Sequence, residues 1–135
     1  MPKKLTRQQV FNKCVIHTVR QGVPSLDAAN RCSYRGEKGR MCTVGPLISN
    51  RHYCEEMEEY GVAALLANAE CLEHLLPFED MLYDLQRAHD KNATGVYQNK
   101  ATWLRRFCNT VIGIAKDYNL SLRWVEKEPN WKPYP

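Results

Sequence analysis

Apolar residues recur every three or four positions towards the end of the chain, and this spacing favours a helical fold. One continuous apolar face can be read from Leu104, Phe107, Cys108, Val111, Ile114, Ala115 and Tyr118. Residues with this spacing lie on one side of an α-helix, which has 3.6 residues per turn. The pattern predicts a helix over 98–118 that packs against other helices.

A second helix is predicted near the N-terminus. Thr6 followed by Gln9 matches the capping box, in which a hydroxyl and an amide three residues later satisfy the first backbone donors. Apolar residues at helical spacing follow. Gly22 and Pro24 then end the pattern, because glycine accepts a left-handed cap and proline cannot continue a helix. The predicted helix covers 6–21.

The middle of the chain mixes helical and turn signals. A short helix is predicted over 62–69, and Pro77 suits the first turn of a longer one, whose apolar stripe is Phe78, Met81, Leu82, Leu85 and His89. The segments 31–35 and 40–44 flank a glycine-containing turn, which predicts a small β-hairpin.

Together these elements predict a mainly α fold. It is a compact four-to-five-helix domain with a small β-hairpin or loop module inserted after helix 1. Residues 1–122 are expected to form this single domain, and residues 123–135, rich in Pro and Trp, a C-terminal tail. A chain of 135 residues can bury a core without help from metal or disulfides.

The expected location is the cytoplasm. No apolar run is long enough to span a membrane, and the basic N-terminus lacks the apolar stretch of a secretory signal. No membrane association is expected. In a reducing compartment the six cysteines are expected to be free thiols rather than a disulfide framework.

Charge is distributed unevenly along the chain. The net charge is about +8 over residues 1–51, about −9 over 52–90 and about +5 over 91–135. Either the acidic middle lies against its basic flanks in the fold, or it forms a surface for a basic partner and the flanks form one for nucleic acid.

One possible partner is nucleic acid. Four basic residues crowd the predicted hairpin around an aromatic side chain, and two more form a second patch on the last helix. These candidates are Arg31, Tyr34, Arg35, Lys38, Arg40, Arg105 and Arg106. Cations beside a stacking surface suit the binding of phosphates and bases.

The leading prediction is a protein partner. Contact candidates are the acidic run and one tryptophan of the tail, namely Glu55, Glu56, Glu58, Glu59 and Trp131. Tryptophan and arginine are frequent in interface hot spots. We therefore expect a small non-enzymatic accessory protein that binds or inhibits a host or partner protein without a cofactor, with nucleic-acid binding as the alternative.

A zinc site is a third hypothesis. Cys32, Cys42, His52 and Cys54 provide four zinc-ligand side chains, but structural sites usually supply them as close pairs, and this chain has no Cys-x-x-Cys. The alternative is that Cys32 and Cys42 are buried thiols.

A catalytic role for a cysteine thiol is a further hypothesis. Cys32 lies between two arginines, and His89 with Asp90 offers a base. Against this, His89 continues the apolar stripe of its helix, so it is expected to be a hydrogen-bonded core histidine that holds the hairpin loop, with Gln86 and Asp90 assisting.

Several of these motifs occur together in other proteins. The pattern Cys-x-Tyr-Arg-Gly over 32–36, a second Cys at 42, Gly-x-Leu-Ile over 45–48 and Leu-Gln-x-x-His-Asp over 85–90 resembles a group of small, uncharacterised bacterial and phage proteins. The likeness covers roughly 8–122 and implies a phage accessory protein, with no particular activity. Pro46 and Cys54 depart from the group's pattern.

Overall fold

The computed structural model describes residues 4–91, 93 and 99–135 and is mainly helical, as predicted. The described residues contain the α-helices α1 (Arg7–Gln21), α2 (Val62–Asn68), α3 (Glu79–Asp90) and α4 (Lys100–Asp117). They also contain 3₁₀ segments at Glu37–Gly39, Gly45–Leu47, Glu55–Glu59 and Glu70–Phe78.

The first helix begins with the predicted capping box. The Thr6 hydroxyl accepts the Gln9 N–H at 3.1 Å, and the Gln9 side chain accepts the Thr6 N–H at 2.8 Å. Gly22 then ends α1 in the left-handed region, with φ of 72°. Both ends of α1 thus follow from local sequence.

Two helix starts differ slightly from expectation. Pro77 lies in a 3₁₀ segment, and α3 begins only at Glu79, after that segment. Asn99 caps α4 by accepting the Thr102 N–H at 2.8 Å, so α4 begins at Lys100. The predicted start of this helix, residue 98, lies outside the described residues.

The helices enclose one hydrophobic core. α3 packs on α2 and α4, while α1 packs on α4 and on Gly45–Leu47. Phe11, Leu82 and Phe107 belong to the same core as Cys42 and Val44. The loop after α1 is therefore inserted into the core and does not protrude from it.

The predicted β-hairpin is wrong. Among the described residues the only strand-like pairing is an isolated bridge between Leu26 and Cys32. The segment 31–35 turns back towards Ser25, whose carbonyl accepts the Ser33 N–H at 3.2 Å. Side chains from distant elements take the place of a second strand.

The C-terminal residues pack along α1 and α4. Val125 is fully buried, and the Asn130 amide donates to the Val19 carbonyl at 3.1 Å, near the end of α1. The Arg20 guanidinium forms an ion pair with Glu128 at 2.8 Å. This segment therefore helps to terminate α1.

Candidate functional site

His89 holds the start of the loop. It is fully buried on α3, where its Nε2 accepts the Ser25 N–H at 3.0 Å and its Nδ1 lies 2.9 Å from Asp90 Oδ1. Because a backbone N–H can only donate, Nε2 is the acceptor and Nδ1 carries the proton towards Asp90. The predicted structural role of His89 is confirmed.

Gln86 holds the far end of the same loop. Its Oε1 accepts the Val44 N–H at 3.2 Å, and its Nε2 donates to Asp90 Oδ1 at 2.8 Å. Asp90 therefore receives hydrogen bonds from both side chains that support the loop. The expected assisting roles of Gln86 and Asp90 are confirmed.

Glu58 fixes the middle of the loop. Its carboxylate accepts the Tyr34 N–H at 2.8 Å and the Arg35 N–H at 3.0 Å, and it receives the Tyr53 hydroxyl at 2.6 Å. This hydrogen bond and burial raise the pKa of Tyr53, with burial the larger cause. The Glu58 carboxylate was predicted to contact a partner, but three internal donors already engage it.

Arg35 is also engaged inside the protein. Its guanidinium donates to the Gly45 carbonyl at 3.0 Å and to the Ile48 carbonyl, and it lies over the Tyr53 ring at 4.9 Å. These contacts fold the loop back on itself. The guanidinium that was expected to meet phosphate therefore satisfies backbone carbonyls.

Tyr34 offers no stacking surface. Its side chain is 5% exposed, and its hydroxyl donates to the Tyr60 carbonyl at 2.8 Å. Burial is the largest cause of its raised pKa. Tyr34 therefore ties the loop to the turn before α2.

Two glycines of the loop motif permit close backbone contacts. A Cβ on Gly36 would lie 2.3 Å from the Ser25 hydroxyl, and one on Gly45 would lie 2.9 Å from the Tyr34 carbonyl. Neither space accommodates a side chain. The glycines of the motif are therefore explained by packing.

The four proposed zinc ligands do not converge. Cys42 is fully buried and Cys54 is exposed, while His52 Nδ1 lies 2.8 Å from the Ser49 hydroxyl. Among the described residues the group with metal-ligand spacing is Cys32, His89 and Asp90, whose ligand atoms lie within 4.8 Å of one another.

This cluster is better explained as a hydrogen-bonded group. A metal on His89 Nδ1 would move the ring proton to Nε2, where it would face the Ser25 N–H. Burial and the Asp90 carboxylate raise the pKa of the Cys32 thiol to about 12. The thiol is therefore protonated near neutral pH, which does not suit a nucleophile.

Beside Cys32 the surface contains two adjoining depressions. The first has a volume of about 650 Å³ and is called the acidic depression. Its lining consists of five acidic residues, two arginines, a tyrosine, a cysteine and a serine, namely Asp27, Glu55, Glu56, Glu58, Glu59, Arg31, Arg35, Tyr53, Cys32 and Ser33. The second, of about 520 Å³, is called the tyrosine depression and includes Tyr34, Tyr60, Tyr83, Arg87, Asp90 and Lys91. They meet at Cys32, Ser33 and Glu58, which line both.

Charge in the acidic depression is partly neutralised. Asp27 accepts the N–H groups of Ala29 and Arg31, both at 2.9 Å, and pairs with the Arg31 guanidinium at 3.1 Å. The hydrogen bond from the Arg31 backbone is the largest cause that lowers the pKa of Asp27. By contrast, among the described residues no cation forms an ion pair with Glu55, Glu56 or Glu59.

Two aromatic side chains of the second depression, Tyr60 and Tyr83, were not identified from sequence, whereas Tyr34 was. Tyr60 is 41% exposed and Tyr83 is 50% exposed, and both line the tyrosine depression. They come from different elements, the turn before α2 and the middle of α3. Each is a single aromatic residue in its local sequence, so only the fold brings them together.

The six basic candidates are distributed over three places. Arg31 and Arg35 line the acidic depression, whereas Lys38 and Arg40 line a different groove against α1. The other two, Arg105 and Arg106, are exposed on α4, where Arg105 lies over the Tyr134 ring at 5.3 Å. A single basic hairpin surface does not form. The last candidate, Trp131, is half-buried and packs against the core.

Comparison of the chain with models of protein families, with curated proteins and with solved structures finds no match. Among the described residues, none of the helices combines the length and apolar character that a membrane span requires.

Proposed function

We propose that this protein is a non-enzymatic accessory protein that binds a partner protein across the acidic and tyrosine depressions. The partner segment would carry Lys or Arg side chains next to a large apolar side chain. The observation that carries the proposal is the junction at Cys32, Ser33 and Glu58, where an acidic surface and an aromatic surface become one continuous face.

The acidic half supports a basic partner. Glu55, Glu56 and Glu59 are exposed on one 3₁₀ segment, and their neighbour Glu58 anchors that segment to the loop. Like charges on a fixed segment repel one another, and a cationic partner relieves that repulsion. Electrostatic complementarity of this kind increases the association rate and the selectivity for basic segments.

The tyrosine half supports an apolar contact. Tyr60 and Tyr83 expose ring surface to the depression, whose lining also includes the buried Val62. Aromatic side chains bury large areas at a small cost in conformational entropy and are frequent in binding hot spots. Arg87 and Lys91 in its lining offset the charges of Glu58 and Asp90, so the acidic depression is the more negative half and attracts the partner's cations.

The protonated Cys32 thiol favours binding over catalysis. The acid–base groups beside it, His89 and Asp90, are already occupied by Ser25 and Gln86. A catalytic thiol requires a partner that lowers its pKa, and here the carboxylate raises it.

The test is selection of displayed random peptides on the purified protein. We expect enriched peptides to combine Lys or Arg with Trp, Phe or Leu. The affinity of a synthetic copy should fall about tenfold in the variant E55K/E56K/E59K, since three rim charges of ~0.5 kcal/mol each give about that factor. Glu58 is left unchanged because it holds the loop.

The matched control reverses three exposed acids elsewhere, Glu70, Glu73 and Glu126, and so changes the net charge equally. It should retain most of the affinity. The apolar half is tested with Y83A against L76A, which removes an exposed side chain outside the depressions. Equal losses in each matched pair, or selected peptides without basic residues, would contradict the proposal.

A further inference from the structure

We propose that a second site, on the basic groove between α1 and the Lys38–Arg40 turn, binds the phosphate groups of a nucleotide, either free or within a single nucleic-acid strand. The groove has a volume of about 700 Å³. Among the described residues, those that line it include the cations Lys13, Arg20, Lys38 and Arg40, and none is a carboxylate.

One wall is a single face of α1. Lys13, Ile16, His17 and Arg20 lie at helical spacing on this face, so their side chains point to the same side of the helix. The apolar lining is supplied by Ile16 and by Pro46. Cations above an apolar surface suit a ligand that combines phosphate with a flat ring.

The opposite wall is held against α1 by hydrogen bonds at Met41. The Gln21 side chain accepts the Met41 N–H and donates to the Met41 carbonyl, each at 2.9 Å. His17 Nε2 lies 3.1 Å from the same carbonyl. Because both the N–H and the carbonyl of Met41, the residue after Arg40, are held by α1, the groove exists before any ligand binds, which lowers the entropic cost of binding.

The turn itself is closed by its own backbone. The Gly36 N–H donates to the Arg40 carbonyl at 2.9 Å, and the Ser25 hydroxyl lies 3.3 Å from that carbonyl. Lys38 at the tip adopts a left-handed conformation with φ of 60°. The backbone positions of Lys38 and Arg40 relative to α1 are therefore set by the fold.

Three of the four cations are available to a ligand. Arg20 forms an ion pair with Glu128, but among the described residues no carboxylate forms an ion pair with Lys13, Lys38 or Arg40. Neighbouring unpaired cations repel one another, and phosphate neutralises them with several acceptor oxygens at once. This arrangement favours a polyanionic ligand over a single carboxylate.

The test measures anisotropy of labelled oligo-dT and oligo-U with the full chain. We expect binding that weakens as salt rises, with a log–log slope of about −2 from three cations at ~0.7 each. The variant K13A/K38A/R40A should lose about tenfold in affinity and most of that slope. The control K116A/R123A/K132A removes equal charge from α4 and the C-terminal segment, away from the groove, and should bind like the wild type.

Competition identifies the source of the phosphate. Displacement of the label by ATP at low concentration would indicate a free nucleotide, whereas displacement only by unlabelled oligonucleotide would indicate a strand; either supports a phosphate site. Equal losses in the two triple variants, equally tight binding of poly-glutamate, or no binding at low salt would overturn the inference. Thermal unfolding of each variant confirms that it is folded.

Discussion

At the scale of single residues, Glu58 has the largest predicted effect on stability. In E58Q the size is kept, but one carboxylate oxygen becomes an amide that faces the donors of Tyr34, Arg35 or Tyr53. We expect the free energy of unfolding in urea to fall by about 2 kcal/mol, since hydrogen bonds to charged groups contribute ~1.5–3 kcal/mol. The control E59Q should stay within about 0.5 kcal/mol of wild type; an equal loss there would contradict the role of Glu58.

Cys32 provides a second residue-scale prediction. Because burial and Asp90 raise its pKa to about 12, the thiolate fraction near neutral pH is very small. Iodoacetamide should modify Cys32 slowly, as measured by peptide mass mapping, and the rate should rise steadily as pH increases. Exposed Cys54 is the internal reference and should react first. Faster modification of Cys32 would restore the thiol-enzyme hypothesis.

At the scale of elements, the C-terminal segment is predicted to stabilise α1. The Asn130 amide donates to the Val19 carbonyl at 3.1 Å, and this carbonyl belongs to the last turn of α1, where the helix itself supplies no backbone N–H donor. N130A should lower the free energy of unfolding by about 1 kcal/mol, and N130D by more, because a carboxylate repels the negative end of a helix. The comparison requires only urea denaturation; N130D as stable as wild type would exclude this role.

Helices α1 and α4 could be predicted from the sequence, whereas the loop after α1 could not. α1 and α4 follow from caps and apolar spacing within each segment. The loop after α1 follows from partners far away: Glu58 lies 24 residues from Tyr34, Gln86 lies 42 from Val44, and His89 lies 64 from Ser25. Without those side chains, alternating residues around a turn look like a hairpin, so the β prediction was reasonable locally and wrong globally.

The candidate sites show the same limit. The acidic run could be recognised in the sequence. Only the fold shows that Glu58 is hydrogen-bonded inside the protein, whereas Glu55, Glu56 and Glu59 remain exposed. The tyrosine depression combines elements that sequence does not join. The basic cluster was misleading for the opposite reason. The chain reverses through the turn Glu37–Gly39, and Lys38 and Arg40 line a different groove from Arg31 and Arg35 although they are close in sequence.

At the scale of the whole molecule, stability should depend on His17. Burial lowers its pKa below 6.5 in the folded state, aided by the charge of Arg35 and opposed by the hydrogen bond to the Met41 carbonyl. Protonation of His17 therefore favours the unfolded chain. The stability that neutral His17 contributes is fully present above pH 6.5 and is lost as the pH falls towards the folded-state pKa.

We expect the unfolding free energy to fall less in H17Q than in wild type between about pH 7.5 and 5.5. Glutamine retains a donor for the Met41 carbonyl without a charge that titrates in this range. Exposed His74 supplies the control, and H74Q should follow the wild-type curve. If H17Q shows the full wild-type slope, another group is responsible for the acid sensitivity.

The most direct measurement of the proposed binding face is an NMR titration of the isotope-labelled protein with a selected basic peptide. Amide shifts should concentrate at Cys32 and Ser33, where the depressions meet, and spread to Tyr60 and Tyr83. Shifts confined to α4 or to the basic groove, with these residues unmoved, would contradict the account.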